Sequence, residues 1–454
     1  MDDFSPKIFK AYDVRGIYPD DFNEEAAYQI GKAFIKFLSQ KRELSTRKII
    51  LGRDSRLSSP DILEVLIQSV SSAGVDVINL ELCSTPHFYW TVINEQADGG
   101  IYVTASHNPK EYNGLKICRS QARMVGLDEG LGEMKKMIEK GQMDEIAAMP
   151  GAIKTLDNLQ KYVDSIREFF KKMPLKPLKI VADCANGAIG PEARAFFAKT
   201  PFEVEYLNER PDGNFPGHEA NPLKEENLEP LRRIVVSSGA DMGVSFDGDG
   251  DRVGFLDEKG QTVRADFMTA LIAREILKHK PGRKIYYDLR ESRIVPQIIK
   301  EAGGEPVIGP VGNTLIKKML FDQKMAFGGE LSCHYYFEET GYAESSLLAM
   351  LNLAAIISES GKPLSETIEP LKKYFHTGEV NFRVGDPDKK LVEAQKRFSD
   401  GQIKKIDGIT VEYPNWWFNL RKSNTEPLVR LNLEADTKEL LAEKKELLEK
   451  FITS

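Results

Sequence analysis

Apolar and polar positions repeat along this chain as a recognisable unit. "KIILGRDSR" from Lys48, "KIVADCANG" from Lys179 and "KIYYDLRES" from Lys284 each run from a basic residue through a short apolar stretch to an aspartate and a turn. Apolar runs of this length, bounded by turn residues, read as buried strands. A stretch with helical spacing follows each one: "SPDILEVLIQSVSSAG", "GPEARAFFAKT" and "RIVPQIIKEAGG". Then comes a second short strand: "VDVINL", "FEVEYL" and "EPVIGP". Strand, helix, strand predicts a βαβ unit with parallel pairing and a right-handed crossover. Several such units are ordinary in any α/β enzyme. Their likeness adds the expectation of three similar domains.

The last part of the chain reads differently. Strands such as "GEVNFRV" and "GITVEY" precede a long charged helix from Thr437. The predicted fold class is therefore α/β: three similar mixed α/β domains plus a smaller C-terminal α+β domain. Breaks near Pro150–Gly151, the turn "LDEKGQTV" and the stretch "ISESGKPLSETIEPLKKY" set expected domains of 1–150, 151–256, 257–368 and 369–454.

Composition narrows the partners. The 454 residues are 41% hydrophobic and 29% charged, with a formal net charge of -7. A nucleic-acid binder needs a basic face, which this balance does not predict. Cys83, Cys118, Cys184 and Cys333 form no C-x-x-C pair and read as buried free thiols. The start "MDDFSPKIFK" lacks a signal-peptide core. No run approaches the ~18 apolar residues of a membrane span. The expectation is a soluble cytoplasmic protein with neither nucleic-acid nor membrane partners.

Five loops carry candidate chemistry. In "DGDGDR", Asp247, Asp249 and Asp251 alternate with glycine between two apolar strands. Three carboxylates this close suit one hard cation. An EF-hand loop needs Gly where Arg252 stands, and its flanks are helices, so that reading is set aside. In "VTASHNPKEYNGLK", Ser106, His107 and Asn108 follow the strand "GGIYV", at the strand end where open α/β sheets place ligands. Alone this stretch reads almost as well as a turn. It holds no G-x-S-x-G elbow, and adjacent Ser and His are no triad. In "RKSNTEP", Arg421, Ser423, Asn424 and Thr425 make an oxyanion cradle between two strands. "GGELSCHYYF" offers Glu330 and Ser332 to sugar hydroxyls, a weak signal alone. "KAYDVRGIY" sets Tyr12 and Arg15 before a turn, which alone reads as surface packing.

Taken together, "KAYDVRG", "TASHNP", "DGDGDR", "GELSCH" and "RKSNTEP", in this order over essentially the whole chain, resemble the α-D-phosphohexomutases. That family includes phosphomannomutase/phosphoglucomutase enzymes. The resemblance implies four domains, the first three alike. It implies that Ser106 carries the transferred phosphoryl group and that Asp247, Asp249 and Asp251, with a phosphoserine oxygen of Ser106, hold Mg²⁺. Arg252 would sit beside the phosphoryl group. Glu330 and Ser332 would hold sugar hydroxyls, and Arg421, Ser423, Asn424 and Thr425 the phosphate that does not react. Tyr12, Arg15, His107 and Lys116 would line the reacting end. The implied activity is reversible transfer between C1 and C6 of a mannose or glucose phosphate through a hexose 1,6-bisphosphate.

Two departures stand out. Asn313, in "VGNTLIKKM", occupies a place where many relatives have histidine, which leaves His107, Lys116 and Arg290 as the local acid–base candidates. Cys333 stands where the sugar loop of relatives usually has Gly, and "GYAESSLL" replaces a paired-aspartate stretch. The alternative substrates are glucosamine or N-acetylglucosamine phosphates. The rival classes are a metal-dependent sugar phosphatase or serine hydrolase, and a sugar-phosphate-binding protein without activity. The intact serine and aspartates argue against the last.

Overall fold

The structure is a computed structural model that describes residues 5–143, 147–169, 171, 175–422 and 428–454. It forms four sheets, and the repeat is visible in the first three. Lys48–Arg53 pairs in parallel with Asp76–Leu82 and Gly99–Val103. Lys179–Asp183 pairs in parallel with Glu203–Leu207 and Met242–Phe246. Lys284–Asp288 pairs in parallel with Glu305–Gly309 and Phe327–Gly329. The intervening helices are Ser59–Ser72, Gly190–Phe197 and Ile294–Glu301, as the spacing predicts.

Each third parallel strand then turns back in an antiparallel hairpin. Gly99–Val103 pairs with Tyr112–Arg119, Met242–Phe246 with Val253–Asp257, and Phe327–Gly329 with Tyr335–Phe337. The three hairpin loops are those of Ser106, of Asp247 to Asp251, and of Glu330 to Cys333. They are topologically equivalent, so similar packing of the units brings equivalent loops to a common place. The fourth sheet is antiparallel throughout. Its chain closes with Lys438–Thr453, a helix begun by the Thr437 side chain accepting from Leu440 N–H at 3.1 Å.

The first sheet extends past residue 150. Ile153–Thr155 adds to its edge, parallel to Asp76–Leu82. All three side chains are exposed, so this strand is made by backbone pairing and leaves no hydrophobic pattern to read. One continuous core runs through the second and third units, joined by the apolar helix Ser346–Ser360. The fourth unit has a core of its own around Phe418, Leu431 and Leu448. The four cysteines are buried free thiols. No helix among the described residues is long and apolar enough to cross a membrane.

Candidate active site

All four units contribute to one cleft of 840 Å³. The first unit supplies the wall that carries Ser106. Ser106 lies just beyond Gly99–Val103, almost fully buried, with φ at 51°. Its Oγ donates to Asp247 Oδ2 at 3.0 Å, and His107 Nδ1 lies 3.3 Å from the same oxygen. Strand pairing aims two cations at this point. Lys116 stands on Tyr112–Arg119, and Arg15 pairs with Gly114 of that strand, which puts both side chains on one face. Arg15 Nη1 donates to Asn108 Oδ1 at 2.7 Å. Tyr12 closes the wall by donating to Val311 O at 3.1 Å.

The second unit supplies the acidic loop. Carboxylate oxygens of Asp247, Asp249 and Asp251 lie within 4.8 Å of one another, all buried. Asp249 Oδ1 and Asp251 Oδ1 have no hydrogen-bond partner among the described residues. Buried carboxylate oxygens without donors are costly unless a cation completes them, so this oxygen set fits Mg²⁺. Thr85 also fixes Asp249, its Oγ1 donating to Oδ2 at 2.7 Å. Lys116 Nζ reaches Asp249 Oδ2 at 2.6 Å and also Asp251 Oδ2.

These contacts divide the charges. Burial pushes the Asp247 carboxyl well above the usual range, and Asp249 and Asp251 push it further. Burial acts on Asp251 in the same direction, but Lys116 and Arg252 outweigh it and hold that carboxyl low. Burial alone would lower Lys116, yet Asp249 and Asp251 keep its ammonium above the ordinary value. His107 is driven well below its ordinary value by burial, then by Arg252 and Arg15, so its ring is neutral near pH 7.

Arg252 forms the link to the third unit. Its Nε donates to His334 Nε2 at 3.1 Å, and it lies 3.7 Å from Asp247 Oδ2. A guanidinium can only donate, so His334 Nε2 accepts. The proton then sits on Nδ1, which faces Asp251 O at 3.2 Å. Burial and Arg252 keep this histidine well below its ordinary value, in agreement with a neutral ring. Asp251, His334 and Glu344 also cluster within 4.8 Å. There Lys317 lies 2.7 Å from Glu344 as its counter-charge, and both His334 nitrogens are engaged.

From the third unit, Glu330, Ser332 and Asn313 also line the cleft. Arg290 is anchored by Asp288 and extends to Glu330 Oε1 at 3.3 Å. Burial raises the Glu330 carboxyl despite that guanidinium. From the fourth unit, Arg421 donates to Glu379 Oε2 at 2.6 Å, and Arg430 reaches Glu379 Oε1 at 3.1 Å. Ser423, Asn424 and Thr425 lie outside the described residues. Around the cleft, Lys10, Arg15, Lys116, Arg252, Arg290, Arg421 and Arg430 outnumber Asp13, Asp21, Asp251, Glu330 and Glu379. The cavity is thus more basic than the acidic chain as a whole and suits dianions.

The structure brings together the described residues named from the sequence as candidate site residues: Tyr12, Arg15, Ser106, His107, Lys116, Asp251, Arg252, Arg290, Asn313, Glu330, Ser332 and Arg421 line the cleft, with Asp247 and Asp249 directly behind Ser106 and Lys116. Cys333 does not line it and packs into the core of the second and third units. Sequence reasoning missed Thr85, Glu379 and the His334–Arg252 link, which have no local pattern. It also passed over Asp54 and Arg56, whose signal was present in the repeated strand end "GRDSR".

Residues 6–143, 160–260 and 264–374 match the phosphoglucomutase/phosphomannomutase alpha/beta/alpha domains I, II and III, and residues 379–450 match its C-terminal domain. A phosphomannomutase of Methanocaldococcus jannaschii is 39% identical over 98% of this chain and 97% of its own length. A phosphomannomutase of Escherichia coli is 36% identical over 94% of each. A crystal structure of a phosphoglucomutase/phosphomannomutase family protein from Burkholderia thailandensis superimposes with a TM-score of 0.89 at 32% identity, covering 99% of this chain and 97% of that one.

Proposed function

Since the chain belongs to the phosphoglucomutase/phosphomannomutase family and is a phosphohexomutase, an isomerase, we propose that it moves a phosphoryl group reversibly between C1 and C6 of mannose and/or glucose phosphates. Ser106 is the carrier and a hexose 1,6-bisphosphate the intermediate. The observation that carries this reading is the 3.0 Å contact of Ser106 Oγ with Asp247 Oδ2, within an acidic loop fit for a cation and a cleft rich in basic groups.

In the first half, a sugar hydroxyl loses its proton as its oxygen attacks phosphorus, the bond from phosphorus to Ser106 Oγ breaks while that oxygen takes up a proton, and a bisphosphate forms. The bisphosphate turns over, and Ser106 Oγ takes back the other phosphoryl group. Asp247, Asp249 and Asp251 would hold Mg²⁺ together with a phosphoserine oxygen, and the cation would draw charge from the phosphoryl oxygens. Arg252 and Arg15 spread the remaining charge on those oxygens, the main requirement of phosphoryl transfer. His107 keeps a neutral ring beside Oγ, the atom at which a proton must be supplied or removed in each half. Glu330 and Ser332 orient the sugar, and Arg421 with Arg430 hold the phosphate that does not react. Separate cores for the fourth unit and the rest allow that grip to shift between the two sugar orientations.

The test is to incubate the protein with Mg²⁺ and glucose 1,6-bisphosphate, map phosphate by peptide mass spectrometry, then add mannose 6-phosphate or glucose 6-phosphate. Phosphate should appear on Ser106 and leave it for the sugar. A Ser106 that stays unmodified with every donor overturns the reading. Steady hydrolysis without isomerisation would favour a phosphatase.

A further inference from the structure

The loop of Ser106 is held from behind by side chains that do not line the cleft. Asp54, Arg56 and Thr104 are each 1% exposed. The Arg56 guanidinium donates to three carbonyls of this loop, Ser106 O at 2.8 Å, Asn108 O at 2.7 Å and Pro109 O at 2.7 Å, and to Tyr112 O at 2.9 Å where the next strand begins. Arg56 Nε donates to Asp54 Oδ2 at 3.0 Å, and the same carboxylate oxygen accepts from Thr104 Oγ1 at 2.8 Å. Thr104 Oγ1 in turn accepts the Ser106 N–H at 2.8 Å. One buried ion pair therefore fixes both the amide and the carbonyl of Ser106.

Fixing them matters because of the backbone conformation. Ser106 has φ at 51°, a region that residues with a side chain rarely adopt. Relaxing to negative φ would swing Cβ, and with it Oγ, away from Asp247. The device has a counterpart in the third unit. Asp288, at the equivalent strand end, accepts from Arg290 N at 2.6 Å and Arg290 Nε at 3.0 Å, yet there the guanidinium turns into the cleft. In the second unit Asp183 holds Ala185 N at 3.0 Å, and no arginine follows. Of these three equivalent turns, the first alone spends its arginine on the carbonyls of a neighbouring loop.

We propose that Asp54, Arg56 and Thr104 are positioning residues for the phosphoryl transfer: they hold the Ser106 backbone left-handed and so keep Oγ directed at Asp247 and the cleft. The inference rests on the reading of Ser106 as carrier. It assigns these residues an effect on the chemical step at Ser106, distinct from sugar binding, because none of them borders the space where a sugar would sit.

The test compares Thr104→Val, which keeps the shape and loses the hydroxyl, with Thr104→Ser, which keeps the hydroxyl. Ser106 phosphorylation from glucose 1,6-bisphosphate is followed by mass spectrometry, alongside kcat, KM and thermal unfolding. Thr104→Val should slow Ser106 phosphorylation and kcat by about tenfold or more while KM stays within about twofold, and Thr104→Ser should recover most of the loss. Phosphorylation at the wild-type rate in Thr104→Val overturns the inference, as does a loss that Thr104→Ser shares in full. Should Thr104→Val fail to fold, Arg56→Lys keeps the charge, loses the planar fork, and is read the same way. A wild-type protein that never takes phosphate on Ser106 sinks the carrier reading itself, and this inference with it. The two failures are thus told apart by the wild-type control.

Discussion

Lys116 Nζ lies 2.6 Å from Asp249 Oδ2 at the floor of the cleft, and its second partner is Asp251. The ammonium and a divalent cation bound at this loop would therefore draw on the same carboxylates. Lys116→Met should be less stable than the wild type without cation, because three buried aspartates lose a counter-charge. It should bind Mg²⁺ more tightly, by about tenfold, since a competing positive charge is gone. Calorimetric titration and the rise of Tm with Mg²⁺ measure this. Equal or weaker affinity would show that the lysine does not compete. Activity should fall in either case.

Glu344 and Lys317 form a buried pair at 2.7 Å, with Lys317 Nζ also 3.5 Å from the centre of the Tyr89 ring. This pair joins the third unit to the helix Thr85–Asn94 of the first. Glu344→Gln leaves a buried ammonium without its counter-charge and should cost about 3–5 kcal/mol. Replacing both, as Lys317→Met with Glu344→Leu, should restore most of that. Urea unfolding of the three variants is the check, and equal losses in single and double variants would contradict it.

His218 Nε2 meets Asp183 Oδ2 at 2.8 Å. Burial opposes its charge, but the hydrogen bond and charge of Asp183 outweigh this and hold its pKa above 6.5. A raised folded-state value means stability that is fully present below the unfolded pKa and lost as pH rises through the folded one. The wild type should therefore exceed His218→Gln in stability most at acid pH, and the gap should close as pH climbs above about 6.5. Denaturant midpoints across that range test the sign.

Cys333 has φ at 69° and a thiol pushed up to about 12 by burial. It packs into the core and does not line the cleft. Cys333→Gly should relieve the backbone, lose a small apolar contact, and change stability by roughly 1 kcal/mol or less. The ratio of kcat/KM for mannose and glucose phosphates should hold within about twofold. A larger change would show that this position acts on sugar choice.

How much of this was legible beforehand differs by element. The strands "KIVAD" and "GVSF" announce themselves because both faces are buried, so small and apolar residues dominate instead of alternating with charged ones. Ile153–Thr155 gave no sign, since an edge strand with exposed side chains is specified by its neighbour's backbone. "DGDGDR" was readable as a cation loop because its ligands are adjacent in sequence. Arg252 was readable only by its place beside that loop, and its partner His334 lies 82 residues away.

The sequence by itself determined the units, the hairpin loops at their strand ends and the residue types those loops present. These depend on short-range pattern: strand and helix periods, turn residues, and ligands a few positions apart. Only the tertiary structure decided which charges meet. Lys116 and Asp249 are 133 positions apart, Ser106 and Asp247 141, and Arg293 and Glu434 likewise 141. Such pairs are set by how whole units pack against one another. No periodicity along the chain encodes that geometry. The same holds for the left-handed turn at Ser106, which nothing local to a serine favours, and which Arg56 and Thr104 secure from outside the cleft.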